Sequence, residues 1–280
     1  MTTRVVDDAS LKEIFVHARA IQRFDLSNRI IWVPGGAGLL GSAVSTALAE
    51  HGATVIVSDV RGDVGEKLAD DIRKQDLIAH AMTLDASSEE SIVACRKSIV
   101  ERFGKLDAMV NMTFRYENTP WEKMTTKEFE YGMRVSSTGA FLLSREAALA
   151  MLPNGKGSIV HFSSMYGVVA PNPKMYPEPM NPNPVDYGIA KAGVLALVRY
   201  HAVALAEKGI RVNAIVPGPF PYPWGPQTNE EFMKRLAAKV PMGRVGNALE
   251  IAGAVVFLCS DGASFVTGTQ IAVDGGWTAQ

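Results

Sequence analysis

The sequence has little cysteine and almost no net charge. Cys95 and Cys259 are its only two cysteines in 280 residues. They have no metal-ligand spacing and read as small core residues of a reducing compartment. The 28 Lys and Arg residues against 29 Asp and Glu leave a formal net charge of −1. That balance excludes a general affinity for nucleic acid or anionic membrane, and no local cluster of basic residues restores one. No stretch reaches roughly 18 uninterrupted apolar residues, so no membrane span is expected. The segment from Met1 to Arg23 carries Asp7, Asp8, Lys12 and Glu13 and lacks the apolar run of a signal peptide. A cytoplasmic location is the expectation.

What is present is a large apolar fraction, 47% against 20% charged, enough for a sizeable core. Ser10-Leu11-Lys12-Glu13 reads as a capping box, followed by Leu11, Ile14, Phe15, Ala18 and Ile21 at helical spacing. An amphipathic helical extension over residues 1–27 is therefore expected ahead of one domain spanning 28–280. Within that domain, short β-rich runs (Ile30 to Val33, Thr54 to Val57, Ala79 to Leu84, Ala108 to Val110, Ser158 to Phe162, Arg211 to Val216, Gln270 to Val273) alternate with helical patterns. The helices are expected around Ser42 to His51, Glu66 to Arg73, Ser88 to Phe103, Thr126 to Leu152, Asp186 to Glu207 and Ala248 to Cys259. Gly52 follows the first of them, where a left-handed residue is commonly needed. Such alternation predicts an α/β fold, a doubly wound parallel sheet with right-handed crossovers. The proline-rich stretch from Pro171 to Pro184 breaks the pattern as a long loop.

Gly35-Gly36-Ala37-Gly38-Leu39-Leu40-Gly41 follows the first strand and opens the first helix. Glycines there let the backbone turn tightly and approach a pyrophosphate, whose charge the free N–H groups of a helix N-terminus stabilise. Asp59 ends the second strand, 18 residues after Gly41. A carboxylate at that place accepts both ribose hydroxyls of NAD and repels the 2′-phosphate of NADP. Val60 follows it, where an Arg or Lys would neutralise that phosphate; Arg61 comes one residue later. The expected cofactor is NAD.

Tyr187-Gly188-Ile189-Ala190-Lys191 sets a Tyr and a Lys one helical turn apart on one face. A free Tyr titrates near pH 10, about 3 units too high for a base at neutral pH, a gap of about 4 kcal/mol. An ammonium roughly 4 Å away in a half-buried site supplies about that much. Lys191 is thus expected to make Tyr187 a usable acid/base and to hold the nicotinamide ribose. Ser163 and Ser164 end the fifth strand, where a hydroxyl can polarise a carbonyl or stabilise an alkoxide. No His or acid stands with them as in a hydrolase, and His161 reads as a core histidine.

Together with Asp85, Val110-Asn111, Arg211 to Ala214, Pro217-Gly218 and the terminal Val273-Asp274-Gly275-Gly276, these segments resemble the short-chain dehydrogenase/reductase family over nearly all of 28–280. The resemblance implies a Rossmann fold and an NAD-dependent oxidoreductase acting on a CH–OH group. It makes Ser164 the family serine, Tyr187 the acid/base and Lys191 its partner. It places Gly35, Gly38, Leu39, Leu40 and Gly41 on the pyrophosphate and Asp85 on the adenine. Asn111 would line the cofactor ribose, with Pro217, Gly218 and the backbone near Phe220 at the carboxamide. No metal is implied, and the tail resembles that of members assembling as homotetramers.

Some positions depart from the family pattern. Pro34 stands in place of Thr, Leu39 in place of a loop Gly, and Met112-Thr113-Phe114 in place of Asn-Ala-Gly, which puts a bulky ring near the nicotinamide. Ser136 takes the position of the Asn whose main-chain carbonyl holds a water toward the lysine, and is carried over as a fourth catalytic position. Tyr222 appears where a Thr often meets the carboxamide. Ser164 and Tyr187 are 23 positions apart, a wider interval than the family's, because of the Pro171–Pro184 insertion. Its Asn172, Lys174, Tyr176, Glu178, Asn181 and Asn183 suit a hydroxylated ligand, so a sugar, polyol or sugar acid is expected. The alternative, suggested by Ser136 and Phe114, is an NAD-binding scaffold or sensor impaired in turnover. Phe220, Tyr222 and Trp224 form either a lid or a packed loop.

Overall fold

Seven apolar runs become the strands of one sheet: β1 (Ile30–Pro34), β2 (Thr54–Asp59), β3 (Ala79–Thr83), β4 (Ala108–Asn111), β5 (Gly157–Phe162), β6 (Ile210–Pro217) and β7 (Gln270–Val273). The structure is a computed structural model that describes residues 20–222 and 229–280. All neighbouring strands pair in parallel in the order β3-β2-β1-β4-β5-β6-β7. Every residue of β1, β4 and β5 is buried. Such strands are covered on both faces, which is why they read as continuous apolar runs without polar alternation.

The covering helices are α1 (Leu39–Glu50), α2 (Gly62–Arg73), α3 (Glu89–Phe103), α4 (Thr126–Met133), α5 (Gly139–Met151), α6 (Val185–Leu205), α7 (Glu230–Lys239) and α8 (Leu249–Cys259). Leu48 of α1, Ile72 of α2 and Val255 of α8 pack on one face of the sheet. Ile99 of α3, Leu143 of α5 and Val198 of α6 pack on the other. The strand order reverses between β1 and β4, and in open α/β sheets the crevice beyond the carboxyl ends at that point takes the ligand.

Three elements differ from the sequence expectation. The helix expected over Thr126 to Leu152 is interrupted by a π-helical turn, Arg134–Thr138, between α4 and α5. Helix α7 was not anticipated, although Asn229 caps it by accepting from Phe232 N at 3.0 Å, and Phe232 and Leu236 are buried. Helix α6 with its trailing turn, Val185–Lys208, has the length and composition of a membrane span. It serves as a core helix, with Leu195, Val198, Ala202 and Leu205 packed against the sheet. Most of the helix expected at the start lies outside the described residues; the chain is first described at a 3-10 turn, Ala20–Phe24.

Gly52 has φ +93°, the left-handed conformation expected after α1. The Pro171–Pro184 stretch holds only the 3-10 turn Pro173–Met175. Both cysteines are free and buried, and burial pushes the Cys95 thiol up to about 11 and that of Cys259 to about 12.

Candidate active site

The glycine loop owes its shape to the end of β1. Pro34 has no N–H, and the backbone bonds toward β2 resume with Gly35 N and Gly36 N, which both donate to Ser58 O at 2.7 and 3.2 Å. Gly35 has φ +73°, and a Cβ there would lie 2.9 Å from the Met112 carbonyl carbon. At Gly41 a Cβ would lie 2.6 Å from Gly35 O. Gly38 differs, because nothing comes nearer to its would-be Cβ than Gly35 O at 3.8 Å. It precedes α1 without a side-chain cap, and the first turn of α1 has no acidic residue. The cradle therefore offers uncapped N–H groups and room, which fits a dinucleotide pyrophosphate.

Across the cleft, β5 ends at Phe162 and α6 begins at Val185. Ser163 Oγ donates to Lys191 O at 2.7 Å, so this serine is committed to the backbone of α6. Ser164 Oγ accepts from Tyr166 N at 3.1 Å, fixing the 3-10 turn Met165–Gly167, and lies close enough to the Tyr187 phenol to pull its pKa down. The two adjacent serines thus have separate tasks, and Ser164 is the one that faces Tyr187.

Lys191 is 2% exposed and its Nζ donates to Phe162 O at 2.8 Å. The Nζ lies 5.6 Å from the centroids of both the Tyr187 and Phe114 rings.

The electrostatics depart from the expectation that Lys191 lowers Tyr187. Burial pushes Tyr187 up to about 12, outweighing the hydrogen bond from Ser164, which pulls it down. Burial also brings Lys191 down to about 7. Both groups have lost water without gaining a countercharge, so each is driven toward its neutral form. In this state Tyr187 is a phenol with a proton to give, and Lys191 is shifted toward its neutral amine.

The wall beside Tyr187 is aromatic. The Phe114 and Tyr116 rings stack at 5.9 Å, and the Tyr187 ring meets them edge-on at 6.1 and 5.4 Å. The insertion supplies the next part: Tyr176 Oη lies 2.8 Å from Tyr166 Oη and donates to Asn183 Oδ1 at 3.1 Å. The other asparagines of the insertion bond outside the cleft, Asn172 to Lys174 N and Asn181 to Asn118 O. Helix α7 adds Phe232 and Leu236.

One cleft brings together Gly35, Gly38, Leu39, Leu40, Gly41, Ser164, Tyr187, Lys191, Pro217, Gly218 and Phe220 of the residues expected from the sequence. Four others lie outside its lining. Asp59 sits 8% exposed at the end of β2 and accepts from Arg61 N at 3.1 Å, with Arg61 Nε 3.5 Å from the same oxygen. Asp85 is exposed and accepts from Ser87 N and Oγ at 2.8 and 2.7 Å. Asn111 is 3% exposed, accepts from Thr113 N and Oγ1 with its Oδ1, and turns its Nδ2 to His161 Nδ1 at 3.2 Å.

Ser136 lies in the π-helical turn, 1% exposed, and its Oγ both donates to Arg115 O at 3.0 Å and accepts from Arg115 N at 2.9 Å. Its side chain thereby clamps the segment that carries Phe114 and Tyr116. His161 is wholly buried as expected, but its Nε2 has no partner among the described residues, and burial brings it down to about 3. Phe220 packs so tightly on Gly246 that a Cβ there would lie 2.3 Å from its ring, so it is part of a packed loop. Trp224 lies outside the described residues.

The cleft residues that sequence reasoning missed are chiefly Tyr116, Phe232 and Leu236. The helical spacing of Phe232 and Leu236 behind Asn229 was the available signal for α7; nothing local marked Tyr116.

With the cradle at the switch point and a Ser-Tyr-Lys set facing it, the comparisons with known proteins agree. A family model described as enoyl-(acyl carrier protein) reductase matches residues 36–278. The chain belongs to the short-chain dehydrogenase/reductase family. It is 34% identical over 254 residues, 90% of this chain and 98% of the relative, to the cis-4-hydroxycyclohexanecarboxylate dehydrogenase of Sinomonas cyclohexanicum. It is 32% identical over 256 residues, 91% of this chain and 98% of the relative, to the cyclopentanol dehydrogenase of Comamonas testosteroni. A solved gluconate 5-dehydrogenase from Burkholderia cenocepacia J2315, in complex with NADP and tartrate, has a TM-score of 0.84. That match has 26% sequence identity and covers 94% of this chain and 100% of that one. The chain is accordingly an oxidoreductase of this family, acting on CH–OH groups with a nicotinamide dinucleotide.

Proposed function

We propose that this protein is an NAD-dependent dehydrogenase/reductase interconverting a secondary alcohol and its ketone on a small hydroxylated molecule. The observation that carries the reading is the placing of Ser164 and Tyr187 in one cleft with Lys191 buried behind them, across from the uncapped N-terminus of α1. When bound, an oxidised nicotinamide supplies a hydride acceptor and a formal positive charge. Gly35, Gly38, Leu39, Leu40 and Gly41 would hold the pyrophosphate, with Pro217, Gly218 and Phe220 beside the carboxamide. Asp59 would take the adenosine ribose, Asp85 the adenine, and Asn111 the wall near the ribose.

In the alcohol direction Ser164 holds the substrate oxygen, and Tyr187 accepts its proton as the carbinol C–H is lost as hydride. In the ketone direction the half-buried phenol of Tyr187 donates a proton to the oxygen that Ser164 polarises. Lys191 fixes the ribose and, in its charged form, eases ionisation of Tyr187. Ser136 acts by holding the Arg115 backbone, and its π-helical turn is where a water toward Lys191 would be received.

NAD is favoured by the carboxylate of Asp59. Arg61 beside it is the opposing charge that a 2′-phosphate would seek. Ring alcohols are added to sugars, polyols and sugar acids as candidate substrates, because relatives are named for them and the cleft wall is aromatic. The protein is further read as a cytoplasmic homotetramer, with its main domain over 28–280 behind the extension at 1–27. The test is a panel of cyclic alcohols, polyols and sugar acids assayed for NADH against NADPH formation, with Tyr187→Phe alongside. Equal rates with NADP would overturn the cofactor assignment. NAD binding without any turnover would favour the scaffold alternative.

A further inference from the structure

The tyrosines around the site form a hydrogen-bond chain whose direction is fixed. Tyr176 has one hydroxyl hydrogen and gives it to Asn183 Oδ1 at 3.1 Å. In the 2.8 Å contact between the two phenols, Tyr166 is therefore the donor and Tyr176 the acceptor. Burial raises Tyr166 well above the usual phenol range, so it keeps the hydrogen that it donates. Tyr166 then has none left. Tyr166 lines the cleft, and its hydroxyl oxygen has only acceptor lone pairs left to offer a bound molecule.

That oxygen is held at a set place relative to the reacting centre. Tyr166 N donates to Ser164 Oγ at 3.1 Å, within the 3-10 turn that begins at Met165. Tyr176 is braced from behind by the Phe232 ring at 5.3 Å. The nearby lining is otherwise largely apolar, including Met112, Phe114, Phe162 and Leu236. A buried acceptor in such surroundings penalises a bound molecule that leaves it unmatched.

We propose that the acceptor-only oxygen of Tyr166, set by the Tyr166–Tyr176–Asn183 chain, selects substrates with a second hydroxyl group, that is, diols or polyols, by accepting that group's hydrogen. The proposal rests on the alcohol–ketone reading above and assigns the Pro171–Pro184 insertion a role in specificity. A site built to pair a substrate hydroxyl rejects the analogue lacking it far more strongly than an apolar pocket rejects a missing methylene.

The test compares three alcohols of one ring size: cyclohexanol, the cyclohexanediols, and the monomethyl ethers of those diols, which accept but cannot donate at the second oxygen. In the wild-type enzyme, kcat/KM for the best diol is expected to exceed that for cyclohexanol and for the matching ether by about tenfold or more. In Tyr166→Phe the diol loses this advantage over both. In Tyr176→Phe the hydrogen of Tyr166 is released, so the ether rises to match the diol while both stay ahead of cyclohexanol. A wild-type enzyme that turns over all three alike, or a diol preference unchanged in Tyr166→Phe, would overturn the proposal while leaving the alcohol–ketone reading intact. No turnover of any of them, with Tyr187→Phe indistinguishable from wild type, would remove both.

Discussion

The two ends of the cleft are built on opposite plans. The glycine-loop end, proposed to hold the pyrophosphate, is built from one continuous segment, Gly35 to Gly41, where a Cβ at Gly41 would lie 2.6 Å from Gly35 O. The substrate end is made of side chains from separated segments: Phe114 and Tyr116, Ser164 and Tyr166, Tyr176 and Asn183, Tyr187 and Lys191, and Phe232. Backbone offers the same N–H groups whatever the sequence, so in the proposed reading the first end suits a charge common to all dinucleotides. The second end is free to vary, and the chemical identity of the substrate resides there.

The strongest way to test this division is Tyr187→Phe. It is expected to lower kcat by roughly 10²–10⁴-fold while NADH affinity, followed by fluorescence titration, changes by less than about twofold. The converse change is Gly41→Ala, whose added Cβ meets the Gly35 carbonyl. Overpacking of about 1–3 kcal/mol predicts roughly five- to hundredfold weaker NADH binding, with kcat at saturating cofactor largely retained. A variant that lost both properties at once would break the comparison.

Asp59→Ser sharpens it within the cofactor end. Losing a charged hydrogen-bond acceptor of about 1.5–3 kcal/mol should reduce kcat/KM with NAD by roughly ten- to hundredfold and raise the NADP-to-NAD ratio, since Arg61 remains.

Lys191→Met tests the electrostatics of the substrate end through stability. Lys191 has a folded pKa of about 7, well below that of an unfolded lysine. Between pH 7 and about 10 the unfolded chain therefore binds the extra proton, and wild-type stability rises with pH over that window. The variant should lose this slope in thermal melts and be more stable at pH 7 by roughly 1–4 kcal/mol, although inactive.

The pattern of legibility follows the same division. The strand runs, the glycine loop and the Tyr187–Lys191 pair could be read because each is a local pattern in consecutive residues. The partnering of Tyr166 with Tyr176 could not, because residues 167–175 of loop and short 3-10 turns lie between them and no periodicity relates them. The roles of Ser163 and Ser164 were not separable from sequence beyond family resemblance. They are neighbours in the chain, and only the backbone turn after β5 sends one to the Lys191 carbonyl and the other to Tyr187. Charge states were the least legible. The tyrosine–lysine spacing set the distance of the pair, but burial set the sign of each shift.

The ties between the end of β5 and α6 have a consequence for how the molecule acquires activity. Lys191 donates to Phe162 O and its own carbonyl accepts from Ser163, joining residues 28 and 29 positions apart in the chain. Neither bond exists until the fifth strand is laid in the sheet and the long helix has docked over it. The acid/base pair is thus assembled by the same non-local steps that close the core. Any folding intermediate that lacks this docking is expected to be without activity, and denaturant should abolish turnover and tertiary structure in one transition.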